Sequence, residues 1–496
     1  MRSVQRAPAS RAIRSLLSTI RPFTPSPTPP TPPPPRQLSS LSAEQSCLQV
    51  QRARRPSSPS PLPATSPPHL PRASAAGAPL AVVSAQCMLT SPRWSVGEKS
   101  SAAAEARLLR RLPFFRPTPD SPIDPAYPVT AHSAQVSLAA PKHYINTLTI
   151  APTAPASASI PPPTVVLHGY GAGLGFFFQN FPALAGWAGR RGGTVYALDW
   201  LGMGRSARVP FVMKAKRADT AARVAEAEAF FVDSLEEWRA AMGLERMTLV
   251  GHSLGAYLSA AYALRFPARV HKLVLLSPAG VPRDPHATSD PARELTESQD
   301  EVTDGSDPAA PVEPATTGKV KEIHAEQAEE RREQSRTRKL LMYLWEEGWS
   351  PFQVVRSSLF FGPLVVGKYS TRRFSGLSAE ETRDMHDYIL HITLAKGSGE
   401  YCISHILAPG AHARRPLVDR VGALPSWMPV TFVYGDHDWM DPQGGERAVE
   451  NLRLAGNGQG RMYIVPNAGH HVYLDNVKAT NDLLVKELDR PVRRPS

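Results

Sequence analysis

Gly251-His252-Ser253-Leu254-Gly255 sets a serine between two glycines, where the apolar run Met247–Gly251 gives way to the helix-patterned stretch Leu254–Phe266. A hydroxyl held on a tight strand-to-helix turn needs small neighbours on both sides. Such a turn exposes the Oγ, and the start of the helix aims an N–H at a developing oxyanion. Ser253 is therefore a candidate nucleophile and the Leu254 N–H a candidate oxyanion donor. A second donor belongs upstream, after a strand. His168-Gly169-Tyr170-Gly171 closes the short apolar run Thr164–His168, and its glycines let backbone approach a substrate, which nominates the Tyr170 N–H. A serine also needs a base, and the base an orienting acid. His470 stands after a small-residue turn in Asn467-Ala468-Gly469-His470-His471, with His471 as its rival. In Gly435-Asp436-His437-Asp438-Trp439-Met440-Asp441, Asp438 is favoured as the acid, Asp441 is the alternative and Asp436 a weaker one. Each of these carboxylates could equally be a solvated loop residue.

Two further spacings bear on the chemistry. His470-x4-Asp475 has the spacing found in glycerolipid acyltransferases, and leaves open the transfer of an acyl group from Ser253 to a lipid hydroxyl instead of water. Asp199-Trp200-Leu201-Gly202-Met203-Gly204-Arg205-Ser206 reads as a supporting turn. No G-x-G-x-x-G opens a helix there and no P-loop lysine follows, so a nucleotide site is not indicated. His386, His391, His405 and His437 form no metal-ligand set, and the proposed chemistry needs neither metal nor organic cofactor.

These groups must be positioned by the elements between them. Short apolar runs at Tyr144–Ile150, Thr164–His168, Thr194–Asp199, Met247–Gly251, Val270–Ser277, Val430–Tyr434 and Met462–Val465 read as strands. They alternate with helical patterns at Phe176–Arg190, Ala221–Met242 and Leu254–Phe266. Apolar strands alternating with helices imply an α/β fold with a mostly parallel central sheet covered on both faces. The strongly apolar Leu340–Phe374, which lacks strand alternation, reads as an inserted helical lid. Trp345, Trp349, Phe352, Leu359, Phe360, Phe361, Leu364 and Val365, flanked by Arg356, Lys368, Arg372 and Arg373, could lie in a bilayer interface or form the buried underside of a cap. The expected organisation is a head at 1–43, a Pro/Ser-rich disordered linker at 44–99, a first core segment at 100–283, a disordered acidic insertion at 284–336, the lid region at 337–425 and a second core segment at 426–496.

Charge is concentrated at one end. Residues 1–97 hold eleven arginines, no lysine and the single acid Glu44, which accounts for +10 of the formal +12. The rest is close to neutral, so global basicity gives no support to nucleic-acid binding. Three scattered cysteines make neither a disulfide framework nor a metal site, and no apolar run is long enough to span a bilayer. In 1–43 the acid-free, Arg- and Ser-rich start places Ile13, Leu16, Leu17 and Ile20 on one helical face, ended by Pro22 and the prolines of 29–35. That is the pattern of a mitochondrial transit peptide.

With the order Ser, Asp, His, the chain resembles the α/β-hydrolases. His168–Phe178, Gly251–Gly255 and Ala468–Asp475, together with Trp349-Ser350-Pro351-Phe352, Arg356 and Gly362-Pro363, resemble one subfamily of that fold. Its members are a lipid-droplet lipase coactivator, an N-acyl-phospholipid lipase and a fungal mitochondrial cardiolipin-specific deacylase. The resemblance implies action on acyl esters of glycerophospholipids at a membrane surface, with peripheral membrane association. The coactivator branch lacks the serine that is present here, and its acid aligns nearer Asp441. The Arg-rich head and intact Ser253 favour the cardiolipin-deacylase type, peripheral on the mitochondrial inner membrane. An acyltransferase for lysophosphatidic acid and a non-catalytic coactivator are the alternatives.

Overall fold

The computed structural model describes residues 97–118, 120–154, 159–282, 313–314, 318–320, 344–345, 348–358, 362–374 and 376–493. The head at 1–43, the linker up to residue 96 and nearly all of the 284–336 insertion lie outside the described residues, as do Leu359, Phe360 and Phe361 of the lid.

The frame is a nine-stranded sheet in the order β1-β2-β4-β3-β5-β6-β10-β11-β7. Its strands are β1 (Val129–Ser137), β2 (Tyr144–Pro152), β3 (Thr164–Leu167), β4 (Val195–Leu198), β5 (Met247–His252), β6 (Val270–Leu276), β7 (Glu313–Pro314), β10 (Val430–Gly435) and β11 (Gly460–Val465). The ladder from β4 to β11 is parallel throughout. Strands β1, β2 and β7 add antiparallel pairings at the two edges. A small antiparallel pair, β8 (Leu407–Ala408) and β9 (His412–Ala413), lies apart from this sheet. Strands β3, β4, β5 and β10 are buried at every position, as a sheet covered on both faces requires.

Helices supply the covers. They are α1 (Glu98–Leu109), α2 (Phe181–Arg191), α3 (Thr220–Ala241), α4 (Leu254–Arg265), the lid helices α5 (Pro351–Ser357), α6 (Gly362–Arg373) and α7 (Ala379–Leu394), the single turn α8 (Ile403–Ile406), then α9 (Pro442–Leu454), α10 (Val472–Asp475) and α11 (Val477–Asp489). Helix α4 is buried on all sides from Leu254 to Ala263, which suits an element at the centre of the molecule. Local signals set several starts. Asp219 accepts from Ala222 N–H at α3, Ser350 from Gln353 N–H at α5, and Ser378 and Glu381 form a reciprocal capping box at α7.

The sequence pattern differs from the structure in several places. Glu98 and Lys99, at the end of the expected disordered linker, open helix α1. Glu313–Pro314, within the expected disordered insertion, pair with β11 as strand β7, and α7, α9 and α11 have no counterpart in the sequence reading. The expected helix over Phe176–Arg190 is a single 3-10 turn, Leu174–Phe177, followed by α2 from Phe181. Pro182 occupies the first turn, where its missing N–H costs nothing, so it starts the helix instead of kinking it. Helix α1 and strand β1 have no counterpart in the periodicity reading, because both are half polar. Helix α1 is held by contacts such as Asn146 Nδ2 to Glu105 (2.9 Å), and β1 by its pairing with β2.

Candidate active site

Every chemical candidate sits at the carboxyl ends of the parallel strands, where ligand sites form in open α/β sheets. Strand β5 ends at His252, and Ser253 follows with φ 51° and ψ −116°, a sparsely populated conformation for a residue with a side chain. Its N–H donates to the Leu276 carbonyl (2.9 Å), and its own carbonyl accepts from Ala256, Tyr257 and Ala279 N–H groups, so the turn is held on both sides. The flanking glycines are a steric requirement. A Cβ on Gly251 would lie 2.5 Å from the Gly255 carbonyl oxygen, and one on Gly255 would collide with the carbonyls of Leu167 and His168. The same packing brings the end of β3 against the nucleophile, since a Cβ on Gly169 would stand 3.0 Å from that of Ser253. The loop that carries Tyr170 therefore begins against Ser253 at the end of β3, while Leu254 follows Ser253 at the end of β5.

The upstream loop is bolted in place by its histidine. His168 Nε2 accepts from Trp200 N–H (3.2 Å), so its Nδ1 carries the proton and donates to the Gly169 carbonyl (2.7 Å). Burial holds this imidazole below its ordinary pKa, consistent with the neutral ring those roles demand. Asp199, at the end of β4, accepts from Leu174 N–H (2.8 Å), Arg205 N–H (2.8 Å) and Asn146 Nδ2 (2.8 Å). The Asp199–Ser206 stretch is thus a supporting turn.

The candidate base and acid come from the far end of the chain. His470 Nδ1 lies 3.1 Å from Asp438 Oδ1, with both side chains fully buried and Trp439 packed against the imidazole at 4.7 Å between ring centres. Nδ1–H donating to the carboxylate turns Nε2 into the basic nitrogen. Asp438 Oδ1 also accepts from Met440 N–H (3.0 Å). The rivals have other employment. Asp441 caps α9 by accepting from Gln443 N–H (2.9 Å), and Asp436 holds the histidine loop through Asn467 and Ala468 N–H groups (2.9 and 3.0 Å). His471 stacks on Phe176, 6.4 Å between ring centres. Asp475 forms an ion pair with Arg373 (2.7 Å) and accepts from Gly469 N–H (2.9 Å), so the H-x4-D carboxylate is engaged structurally.

A model of the alpha/beta hydrolase fold family matches residues 162–477, well over half of the chain. This protein is an α/β-hydrolase. A 1-acylglycerol-3-phosphate O-acyltransferase of Arabidopsis thaliana is 34% identical over 67% of this chain and 66% of its own length, so the chain spans just under two thirds of that relative. The Homo sapiens 1-acylglycerol-3-phosphate O-acyltransferase ABHD5 is 30% identical over 66% of this chain and 77% of its own. A Homo sapiens (lyso)-N-acylphosphatidylethanolamine lipase is 28% identical over 66% and 79% respectively.

In this α/β-hydrolase the residue beside the nucleophile also matters. His252 Nε2 donates to the His470 carbonyl (3.0 Å), and the two rings are 4.8 Å apart at their centres. One residue from Ser253, strand β5 thus grips the backbone of His470. Burial keeps His252 well below its ordinary pKa, and it stays neutral. Sequence reasoning passed over His252 because the middle positions of G-x-S-x-G read as filler.

The lid closes over these groups. Phe352 of α5 packs on Tyr170 (5.0 Å between ring centres) and Trp345 meets the same ring edge-on (6.3 Å). The clefts beside Tyr170, one reaching His471 and the other Arg208, have volumes of about 10 and 20 Å3, room for about one water molecule each. The lid's cations divide in a way the flanking-charge reading did not foresee. Arg356 pairs with Glu400 and Arg373 is buried against Asp475, whereas Lys368 and Arg372 are exposed. Trp345 and Phe352 are buried, while Trp349, Val354, Leu364 and Val365 face outward. Among the described residues no helix is long and apolar enough to cross a membrane, and no cluster of three or more His, Cys, Asp or Glu could hold a metal.

Proposed function

We propose that this α/β-hydrolase is a serine acyl hydrolase of glycerophospholipids, acting from a membrane surface. Its substrate is cardiolipin or a related anionic phospholipid, and its place of work the mitochondrion. The observation that carries the catalytic part is the strained Ser253 turn at the same sheet end as the buried His470–Asp438 pair.

In the proposed cycle His470 Nε2 takes the Ser253 proton as Oγ attacks an ester carbonyl. The N–H groups of Tyr170 and Leu254 stabilise the oxyanion, each worth about 3 kcal/mol. His470 then protonates the departing lysolipid alcohol, and water, activated by the same imidazole, clears the acyl-serine. The lipid part of the reading rests on the outward face of the lid. Leu364, Val365, Lys368 and Arg372 share one exposed side of α6, and Trp349 and Val354 add apolar surface nearby. Aromatic and aliphatic groups beside cations suit the boundary between acyl chains and phosphates. The mitochondrial part rests on the Arg-rich, acid-free head.

Acyl transfer is the second reading, favoured by the curated acyltransferase names of relatives about one third identical to this chain. Full-length protein given vesicles with labelled cardiolipin or phosphatidylethanolamine, with and without lysophosphatidic acid, separates the two by product. Free fatty acid supports the hydrolase, and labelled phosphatidic acid the transferase. Ser253→Ala should abolish either activity, and full activity in that variant would remove the serine mechanism. Imaging the full chain against one lacking residues 1–43 tests the location.

A further inference from the structure

The Arg373–Asp475 ion pair joins two elements with no chain connection near the site, the end of lid helix α6 and the short helix α10 that closes the histidine loop. Both side chains are nearly inaccessible, at 6% and 8% exposure. Asp475 does more than neutralise a buried guanidinium. Its Oδ2 accepts from Gly469 N–H at 2.9 Å, and Gly469 immediately precedes His470. The backbone of the same turn is tied further, with the His471 carbonyl accepting from Leu474 and Asp475 N–H groups. Phe374, next to Arg373, packs edge-on against Phe176 (5.9 Å between ring centres), and Phe176 stacks on His471. The end of α6 therefore touches the histidine loop through charge and through aromatic packing.

From this geometry we infer that Arg373 is a positioning residue. Through Asp475 and Gly469 it holds His470 on Asp438, so that the seating of lid helix α6 sets the alignment of the base. The carboxylate of the H-x4-D spacing then serves as the receiving end of this strut and takes no part in acyl transfer. The inference rests on the hydrolase reading above.

A buried cation without its partner is costly, so removing one member of the pair destabilises the fold as well as the loop. The test therefore needs a readout that stability alone would not move. The full chain, Arg373→Met, Arg373→Lys and Asp475→Asn are compared for the rate at which a fluorophosphonate labels Ser253 across pH 5–9, alongside thermal unfolding. Asparagine at 475 still offers an oxygen to Gly469 N–H but carries no charge. Labelling should slow by about 10- to 100-fold in Arg373→Met and by less in Asp475→Asn, the scale expected when a catalytic group shifts by about 1 Å. The acidic limb of the profile should shift, because an imidazole parted from Asp438 loses the carboxylate facing it, while Arg373→Met also removes the cation that lowers His252 and His471 packed against it. Arg373→Lys, which keeps the charge, should recover part of the rate and most of the pH profile. Should Arg373→Met fail to fold, Asp475→Asn and Arg373→Lys decide. Unchanged rate and unchanged limb in the folded variants, with only a lower melting temperature, would reduce the pair to packing and overturn the inference. A wild-type chain that never labels at Ser253 is a different failure, since it removes the hydrolase reading and this inference with it.

Discussion

The nucleophile turn and the lid meet at the same site yet are held by different physics. Around Ser253 the constraints are in the backbone. Gly251 and Gly255 are there because a single carbon would strike main-chain carbonyls, and Gly435 is there because a Cβ would strike the Ala468 carbonyl. In the lid the constraints are side chains. Phe352 and Trp345 rest on Tyr170, Ser350 and Arg356 engage Glu400, and Arg373 engages Asp475. Backbone contacts cannot be traded one at a time, whereas side-chain contacts can be broken and remade. The comparison teaches that the chemistry is mounted on the part that does not give, and access on the part that does.

The largest effect should come from Ser253→Gly, which acts on the stiff side in two opposite directions. Turnover should fall by roughly a millionfold, as when a serine-enzyme nucleophile is removed. The melting temperature should rise, because glycine adopts φ 51° without the roughly 1–3 kcal/mol of strain that serine bears. A melting temperature that falls would mean that the turn is not strained. Next comes the choice of acid. Asp438→Asn should lower kcat by about ten-thousandfold by upsetting the imidazole tautomer. Asp441→Asn, whose amide oxygen can still cap α9, should cost only about 0.3–1 kcal/mol of stability through the charge lost at the helix start. Equal losses of kcat in the two variants would contradict the assignment. Gly255→Ala sharpens the backbone side further. It should lower stability by about 4 kcal/mol or more in denaturant unfolding, since a main-chain clash has no side chain to yield.

On the yielding side, Leu364→Asp with Val365→Asp should weaken binding to anionic vesicles by about 2–3 kcal/mol. Labelling of Ser253 by a small fluorophosphonate in solution should be little changed. Sedimentation with vesicles measures the first and gel fluorescence the second. Loss of both together would place these two residues in the fold instead of at a lipid contact.

The smallest effect is a slope of stability with pH. Burial holds His168 below, and His252 and His471 well below, the ordinary value of 6.5. As pH drops past 6.5 the unfolded chain takes up protons on these rings and the folded chain does not, so stability falls toward the folded-state values, by up to about 1.4 kcal/mol per pH unit per ring. Glu105, pushed up to about 7 by burial, acts the other way between 4.5 and 7, where the fold binds a proton that the unfolded chain releases. Glu105→Gln should therefore steepen the decline in melting temperature between pH 6.5 and 5, as followed by calorimetry.

Much of the fold was legible because the central strands are apolar at every position and alternate with helical segments. The edges were less so. Helix α1 owes its burial to partners far along the chain, such as the Glu105–Asn146 contact, and strand β1 pairs with β2; their own sequences carry little pattern. In the site, residue type and order supplied the candidates: a serine between glycines, carboxylates after one strand, histidines after the next. Neighbours in sequence could not be told apart that way. Asp436, Asp438 and Asp441 lie on one loop, yet they accept from the backbone of 467–468, from His470 and from the start of α9 respectively.

The sequence alone determined that this chain builds a parallel sheet with a serine, an acid and a histidine after three of its strands, because hydrophobic periodicity and turn chemistry are local. Only the tertiary structure decided which carboxylate meets the imidazole, that His252 grips the backbone of His470, and that a lid arginine reaches Asp475. Those pairings join groups from 32 to more than 200 residues apart, and what brings them within hydrogen-bonding distance is the packing of strand ends and lid, which no single stretch of the chain encodes.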